Sequence, residues 1–267
     1  MSTPSYALTD SWTMLRRNLR RMVRYPSMTL LLVGLPVVFL LLFVYVFGNT
    51  LGAGLGAASG GRAEYANFVA PGILLIAVAS AVQGTAISVA MDMTQGIVAR
   101  FRTMAISRAS VLVGHVVGSM IQSAICVAVV LAVALLIGFR PDAGPADWAG
   151  VAGILALTSL ALAWLTVAMG MIASSVETAS NLPMPLTFLP FLGSGFVPTD
   201  SMPTVLRWFA DYQPFTPITD TLRSLLTGTP VGNSAILAVG WCLVIGLGGF
   251  LWAMSLYRRD PVRRGGA

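Results

Sequence analysis

The sequence predicts an all-α polytopic membrane protein: six transmembrane helices, an N-terminal amphipathic interfacial helix and two short re-entrant extracellular helices after span five. Three observations carry this. First, six apolar stretches (28–47, 68–91, 111–137, 148–173, 180–197 and 234–256) fill most of the 267 residues. About 20 apolar residues in a helix, each rising ~1.5 Å, cross a ~30 Å hydrocarbon core. Second, the arginines gather on alternate loops. Third, the fifth stretch is short, broken by prolines and followed by two amphipathic pieces. The whole of 1–267 reads as a single transmembrane domain.

Residues 8–25 precede the first span. Leu8, Trp12, Leu15, Leu19, Met22 and Val23 recur at steps that place them on one helical stripe, with Asp10 or Ser11 as cap. Arg17, Arg20, Arg21 and Arg24 occupy the opposite face and Arg16 borders the stripe. Such a helix lies in the headgroup plane, with each arginine worth about 1 kcal/mol near anionic lipid. Tyr25-Pro26 turns the chain into the membrane. The run that follows is too long for a signal-peptide core of ~7–15 residues.

Beyond span one, Gly52-Ala53-Gly54-Leu55-Gly56-Ala57 matches the dinucleotide fingerprint in letters only. No strand precedes it and no acidic residue follows at the right distance, so it reads as a flexible linker. In span two Ser80, Gly84 and Ser88 recur every fourth residue, as do Gly114 and Gly118 in span three, a spacing that lets helices approach closely. Gln83 and Gln122 are costlier to bury and are candidates for facing a route through the membrane. Asp92 and Glu177 are read as boundary residues reached by water, and His115 as an interfacial polar residue.

The loop across 92–110 mixes Ile97, Val98, Phe101, Met104 and Ile106 with Arg100, Arg102 and Arg108. A loop that merely reverses direction needs about two to six residues. Ile97, Phe101 and Met104 share a helical face, which fits either a docking surface for a soluble partner or a span that extends into the headgroups. In the fifth stretch Pro183, Pro185 and Pro190 remove backbone donors, and with Gly193 and Gly195 they predict a kinked or broken helix. Met184, Phe188, Phe191 and Leu192 are its candidate route-lining side chains, suited to a bulky apolar cargo. Across 198–230, Val205, Leu206, Trp208 and Phe209 form one amphipathic piece and Leu222, Leu225 and Leu226 a second, which starts near Thr216-Pro217. Their apolar sides need cover, so both are expected to fold back into the outer leaflet.

Charge gives the orientation. Arg16, Arg17, Arg20, Arg21 and Arg24, the three arginines of 92–110, and Arg258, Arg259, Arg263 and Arg264 make 12 of the 16 basic residues. Arg62, Arg140, Arg207 and Arg223 fall on the other side. Both termini are therefore expected in the cytoplasm. The net charge of +6 describes a belt facing anionic lipid, not a nucleic-acid surface. The chain has no lysine, so no phosphate-binding loop ending in Gly-Lys-Ser/Thr can form. Its single histidine rules out a multi-histidine zinc site within the chain. Cys126 and Cys242 lie in apolar spans and indicate neither a disulfide nor a metal.

Several segments resemble a known family. Glu64-Tyr65-Ala66-Asn67-Phe68-Val69-Ala70-Pro71-Gly72-Ile73, Gly96-Ile97-Val98-Ala99-Arg100-Phe101-Arg102 and Ile106-Ser107-Arg108 look like the membrane subunit of type-2 ABC exporters, above all the daunorubicin-resistance permeases of actinobacteria. So do Phe191-Leu192-Gly193-Ser194-Gly195-Phe196-Val197-Pro198, Met202-Pro203, Pro214-Phe215-Thr216-Pro217 and Leu222-Arg223. The resemblance implies that 92–110 carries a coupling helix held by a separate ATPase subunit, through Gly96, Ile97, Arg100, Phe101, Arg102, Met104 and Arg108. It implies that 8–25 is the connecting helix, presenting Trp12, Leu15, Arg16, Leu19 and Arg20. It also implies re-entrant helices closing the external end, a bacterial plasma-membrane location, and a second copy or a homologous permease as partner. ATP and Mg would belong to the ATPase, and this chain would bind no cofactor. Many relatives carry an acidic residue where Ala99 stands and a proline where Ala105 stands.

An ion-coupled carrier is the competing reading. It needs an ionisable residue deep in a span, where burial costs roughly 2.5–3.5 kcal/mol, and the pattern offers none. An intramembrane enzyme would need a Ser/His, paired-Asp or zinc set inside the bilayer, and that too is missing from the spans.

Overall fold

The computed structural model describes residues 12, 13, 15–18, 20, 22, 24, 26–53, 61–95 and 108–258, the side chains at 26, 28 and 108–110 excepted. Every described residue between 12 and 24 is helical. Helix α1, Pro26–Leu41, continues through a π-helical turn at Leu42–Phe47 into α2, Gly48–Ala53. Then come α3, Arg62–Thr94; α4, Arg108–Leu136; and α5, Pro145–Ile172. The fifth apolar stretch gives α6, Val176–Asn181, α7, Met184–Phe188, and a 3-10 turn at Leu189–Leu192. Helices α8, Thr204–Tyr212, α9, Phe215–Thr227, and α10, Ser234–Arg258, complete the chain. Among the described residues there is no strand.

Among the described residues five helices are long and apolar enough to cross a membrane: Thr29–Ala53, Arg62–Thr94, Val111–Leu136, Pro145–Ile172 and Ser234–Arg258. Six apolar stretches thus give five unbroken helices, because the fifth is interrupted. Pro183 stands at the N-terminal boundary of α7 and Pro190 inside the 3-10 turn. Each lacks the N–H that would continue an α-helical ladder. The chain then leaves helical geometry at Gly193, whose backbone is extended.

Helix α3 is the hub. Its 33 residues span about 50 Å at ~1.5 Å per residue, more than the hydrocarbon core needs. Its apolar window is 83% buried, against 22% for the first candidate span and 17% for the last. Alanines, Ser80 and Gly84 let α1, α4 and α5 approach closely, and Ile73, Leu74, Leu75 and Ile76 fill the space between them. At Gly84 an added Cβ would lie 2.9 Å from the Leu32 side chain of α1, and at Gly170 of α5 it would lie 2.6 Å from the Ala86 carbonyl oxygen. Helix α10 sits outermost. It packs on α5 with Gly249 against the Leu165 backbone, 2.6 Å from where a Cβ would stand, and with Trp164 edge-on to Phe250 at 4.9 Å.

Helix α9 turns into the bundle, burying Phe215, Ile218, Leu222 and Leu226, while α8 leaves Val205, Trp208 and Tyr212 well exposed. Gly228 ends α9 in the left-handed region, φ +64, donating its N–H to the Ser224 carbonyl, a termination that favours glycine. The broken segment meets α3 where Gly72 faces Gly195. A Cβ on Gly72 would lie 2.9 Å from both the Cα and the carbonyl oxygen of Gly195. Gly72→Val is therefore expected to destabilise the protein by about 1–3 kcal/mol, seen as an earlier thermal transition in detergent. Gly153→Ala, with nothing within 4 Å of the new methyl, should leave the transition in place or raise it.

Candidate functional site

Two polar networks mark opposite ends of α3. The first forms where α3 and α4 approach the segment between them. Asp92, near the end of α3, and His115, two turns into α4, are both buried, with His115 Nε2 3.1 Å from Asp92 Oδ2. Arg17 of the N-terminal helix donates from Nη2 to the same carboxylate oxygen. Its neighbour Asn18 donates from Nδ2 to the Gly114 carbonyl at 3.0 Å and packs over Gly118. The N-terminal helix is thus bonded to both helices that flank residues 96–107.

This corrects the reading of Asp92 as a boundary residue reached by water, and of His115 as merely interfacial. Asp92 is 2% exposed and His115 4%. A buried carboxylate is tolerated because two partners share its charge and lone pairs. Sequence spacing could not join Arg17 to a residue 75 positions away. The available signal was Arg17 and Asn18 on the N-terminal helix alongside glycines that open α4 to close approach. Glu177, by contrast, is exposed.

The second network lies at the opposite end. Arg223 of α9 donates from Nη1 to Asp220 Oδ1 at 2.8 Å, and from Nη2 to the Ser194 carbonyl at 2.5 Å and the Phe68 carbonyl at 3.4 Å. Its guanidinium carbon lies 4.1 Å from the Phe68 ring centroid, over the face of the ring. Ser194 Oγ donates to Asp220 Oδ1 at 2.6 Å. Burial pulls the Arg223 guanidinium below its ordinary value, and the Asp220 carboxylate opposes that shift. Nearby, Tyr65 donates its hydroxyl to the Phe196 carbonyl at 3.3 Å, and Gln213 Nε2 donates to the Leu189 carbonyl at 3.1 Å. A planar fork suits this corner because its several donors reach carbonyls freed where the broken segment leaves helical geometry.

Between these ends, an aromatic cluster fixes the broken segment to the first span. Phe191 stacks on Phe196 at 4.4 Å and meets Phe39 edge-on at 5.1 Å, and Phe43, in the π-helical turn, lies 4.6 Å from Phe196. Of the candidate route residues, Phe191 is therefore held in packing. Met184, Phe188 and Leu192, four residues apart, stay exposed. Gln83 donates from Nε2 to the Ser180 carbonyl at 2.6 Å, tying α3 to α6. Gln122 lies beside Gly84, its amide 3.9 Å from where a Cβ there would stand, so the two glutamines face different neighbours.

The expected docking surface, Gly96, Ile97, Arg100, Phe101, Arg102 and Met104, lies outside the described residues, as does Leu19. Arg108 opens α4. In the N-terminal helix Trp12, Arg16 and Arg20 are exposed and Leu15 is half-buried. Among the described residues no group of three His, Cys, Asp or Glu side chains could hold a metal ion.

The ABC-2 type transporter family matches residues 9–227, and the chain belongs to that family: it is the membrane component of an ABC transporter. It is 29% identical over 224 residues, 84% of this chain and 77% of the relative, to the daunorubicin resistance ABC transporter permease protein DrrB1 of Streptomyces coeruleorubidus.

Replacing Arg223 by Ala removes the donor for three acceptors. It should lower stability by about 2–3 kcal/mol and increase the rate at which a water-soluble thiol reagent labels a cysteine placed at buried Ser194. An unchanged labelling rate would mean that Arg223 does not hold that end shut.

Proposed function

We propose that the chain is the permease half of an ATP-driven exporter for hydrophobic or amphipathic cargo: a drug, lipid or glycolipid. The observation that carries this reading is the family match across 9–227. It spans the arginine-bearing loop and the Arg223 network, in a chain that has no lysine with which to build a phosphate loop of its own. Hydrolysis of ATP with Mg then belongs to a separate subunit that grips residues 92–110. Two copies, or this chain with a homologous permease, form the route between them. Both termini lie on the cytoplasmic side of a bacterial plasma membrane, where the excess arginine stays.

The mechanism follows from the parts. ATP binding draws the two ATPase subunits together and displaces the coupling loop. The loop continues directly into α3 and α4, so its movement reaches the bundle as a tilt of rigid helices. The fifth stretch completes a sixth, interrupted span. The exposed Met184, Phe188 and Leu192 offer apolar side chains to a cargo entering from the membrane. Helices α8 and α9 re-enter the outer leaflet, and the Arg223 network holds the external end closed until the bundle moves. The permease of Streptomyces coeruleorubidus is named for daunorubicin resistance, so daunorubicin, a planar amphipathic amine, is the first cargo to try.

The ion-coupled alternative gains one point from the structure, the buried Asp92–His115 pair. That pair is already occupied by Arg17, which leaves the carboxylate poorly placed to cycle protons.

The decisive experiment is copurification of the wild-type chain with a soluble ATPase, followed by ATP-dependent daunorubicin uptake into inverted vesicles. Uptake driven by a proton gradient without nucleotide would overturn the exporter reading. Within it, Phe101→Glu or Arg102→Glu should cut uptake per ATP hydrolysed by roughly ten-fold while insertion into the membrane is unchanged. Wild-type ATPase binding and uptake in both variants would remove 92–110 from the contact.

A further inference from the structure

The N-terminal helix is held on the bundle by two adjacent side chains that reach two different spans. Arg17 pairs with Asp92 at the end of α3, and Asp92 also holds His115 of α4. Asn18 caps the Gly114 carbonyl of α4 and lies against Gly118. Asp92 lies just before the segment between Gln95 and Arg108, and Gly114 and His115 lie about two turns beyond it, so the contacts grip both helices that flank it. Surface ion pairs of such helices are screened and weak, whereas this carboxylate is excluded from water and its pairing is correspondingly directional. The same helix runs on within a few residues into α1, whose π-helical turn carries Phe43 against Phe196 of the broken segment.

We propose that Arg17, Asp92, His115 and Asn18 form a mechanical strut. The strut makes the N-terminal helix one body with both ends of the coupling loop, so that displacement of the loop also moves the first span and, through the aromatic cluster, the segment lining the route. The proposal rests on the exporter reading and adds to it the path by which movement reaches α1. These four are positioning residues. The same three ionisable groups could instead carry a proton, and the two roles differ in one respect: a covalent tether can replace a strut but not a proton carrier.

The geometry supplies the tether. A Cβ built at Gly118 lies 3.4 Å from the Asn18 Cβ, at the near edge of the ~3.5–4.5 Å that a disulfide requires. Both native cysteines are buried, so neither competes readily for an added oxidant. The experiment uses the full chain copurified with its ATPase subunit in proteoliposomes, with daunorubicin as probe and ATP hydrolysis measured in parallel. Arg17→Ala should keep hydrolysis within about two-fold while uptake falls roughly five-fold or more, an uncoupling that a loss of folding would not give. In the triple variant Arg17→Ala, Asn18→Cys, Gly118→Cys, oxidation should restore uptake at least about three-fold over the reduced form of the same protein, and reductant should reverse it.

Three results overturn the strut. One is wild-type uptake in Arg17→Ala. Another is failure of the disulfide, once confirmed by gel mobility, to restore uptake; this assigns the cluster a chemical role. The last is failure of the cysteines to cross-link at all, which denies the packing itself. A wild-type chain that binds no ATPase and ignores ATP would instead defeat the exporter reading, and that failure is read from the unmutated protein.

Discussion

Close approach of neighbouring helices to α3 organises this bundle, and it depends on what α3 lacks. Between lipid-soluble helices there is little hydrophobic gain on association, so packing and interhelical hydrogen bonds decide which faces meet. Alanine, serine and glycine along α3 let the Leu32 side chain of α1 and the backbone of α5 at Gly170 come within distances that a larger side chain would forbid. Larger side chains of α3, Ile73, Leu74, Leu75 and Ile76 among them, fill the space between the helices, while Leu31, Ile236 and Val244 of the outer helices stand exposed.

Part of the irregular backbone is packed against this hub. Carbonyls freed between Leu189 and Phe196 accept hydrogen bonds from Gln213, Arg223 and Tyr65. The glycines there follow from the same need, since Gly72 and Gly195 bring two backbones together where any Cβ would collide. The prolines that break the helix and the arginine that bonds the broken ends belong to one solution.

At the other end of α3 the chemistry is charge within a nearly dry junction. Asp92 would be costly alone, and Arg17 and His115 make it tolerable by satisfying one carboxylate oxygen from two sides. The two networks differ in what they hold. The Arg223 group knits α9 to a broken segment and to α3. The Asp92 group joins the N-terminal helix to α3 and α4, the two helices that flank residues 96–107.

Much of the architecture was legible in one dimension because the bilayer is a demanding solvent. Long apolar stretches became α1, α3, α4, α5 and α10, and prolines at 183 and 190 announced the break in the fifth. The helices over residues 204–212 and 215–227 were legible from the amphipathic spacing of Val205, Leu206, Trp208 and Phe209 and of Leu222, Leu225 and Leu226, with Thr216-Pro217 marking the start of the second. Arg223 was visible as one of four arginines on the poorly charged side and within a segment of family resemblance, without its partners, and Asp92 only as a residue near a helix end. Whether a carboxylate at a helix end meets water or a guanidinium depends on which helix covers it. That partner lies 75 residues away for Asp92, and for Ser194 the hydroxyl's acceptor is 26 residues on. Local pattern determined the solvent, the helices and their interruption, since each follows from the transfer free energy of neighbouring residues. Tertiary packing alone decided the charge pairings and the close glycine contacts, because those depend on distances between segments that no local rule relates.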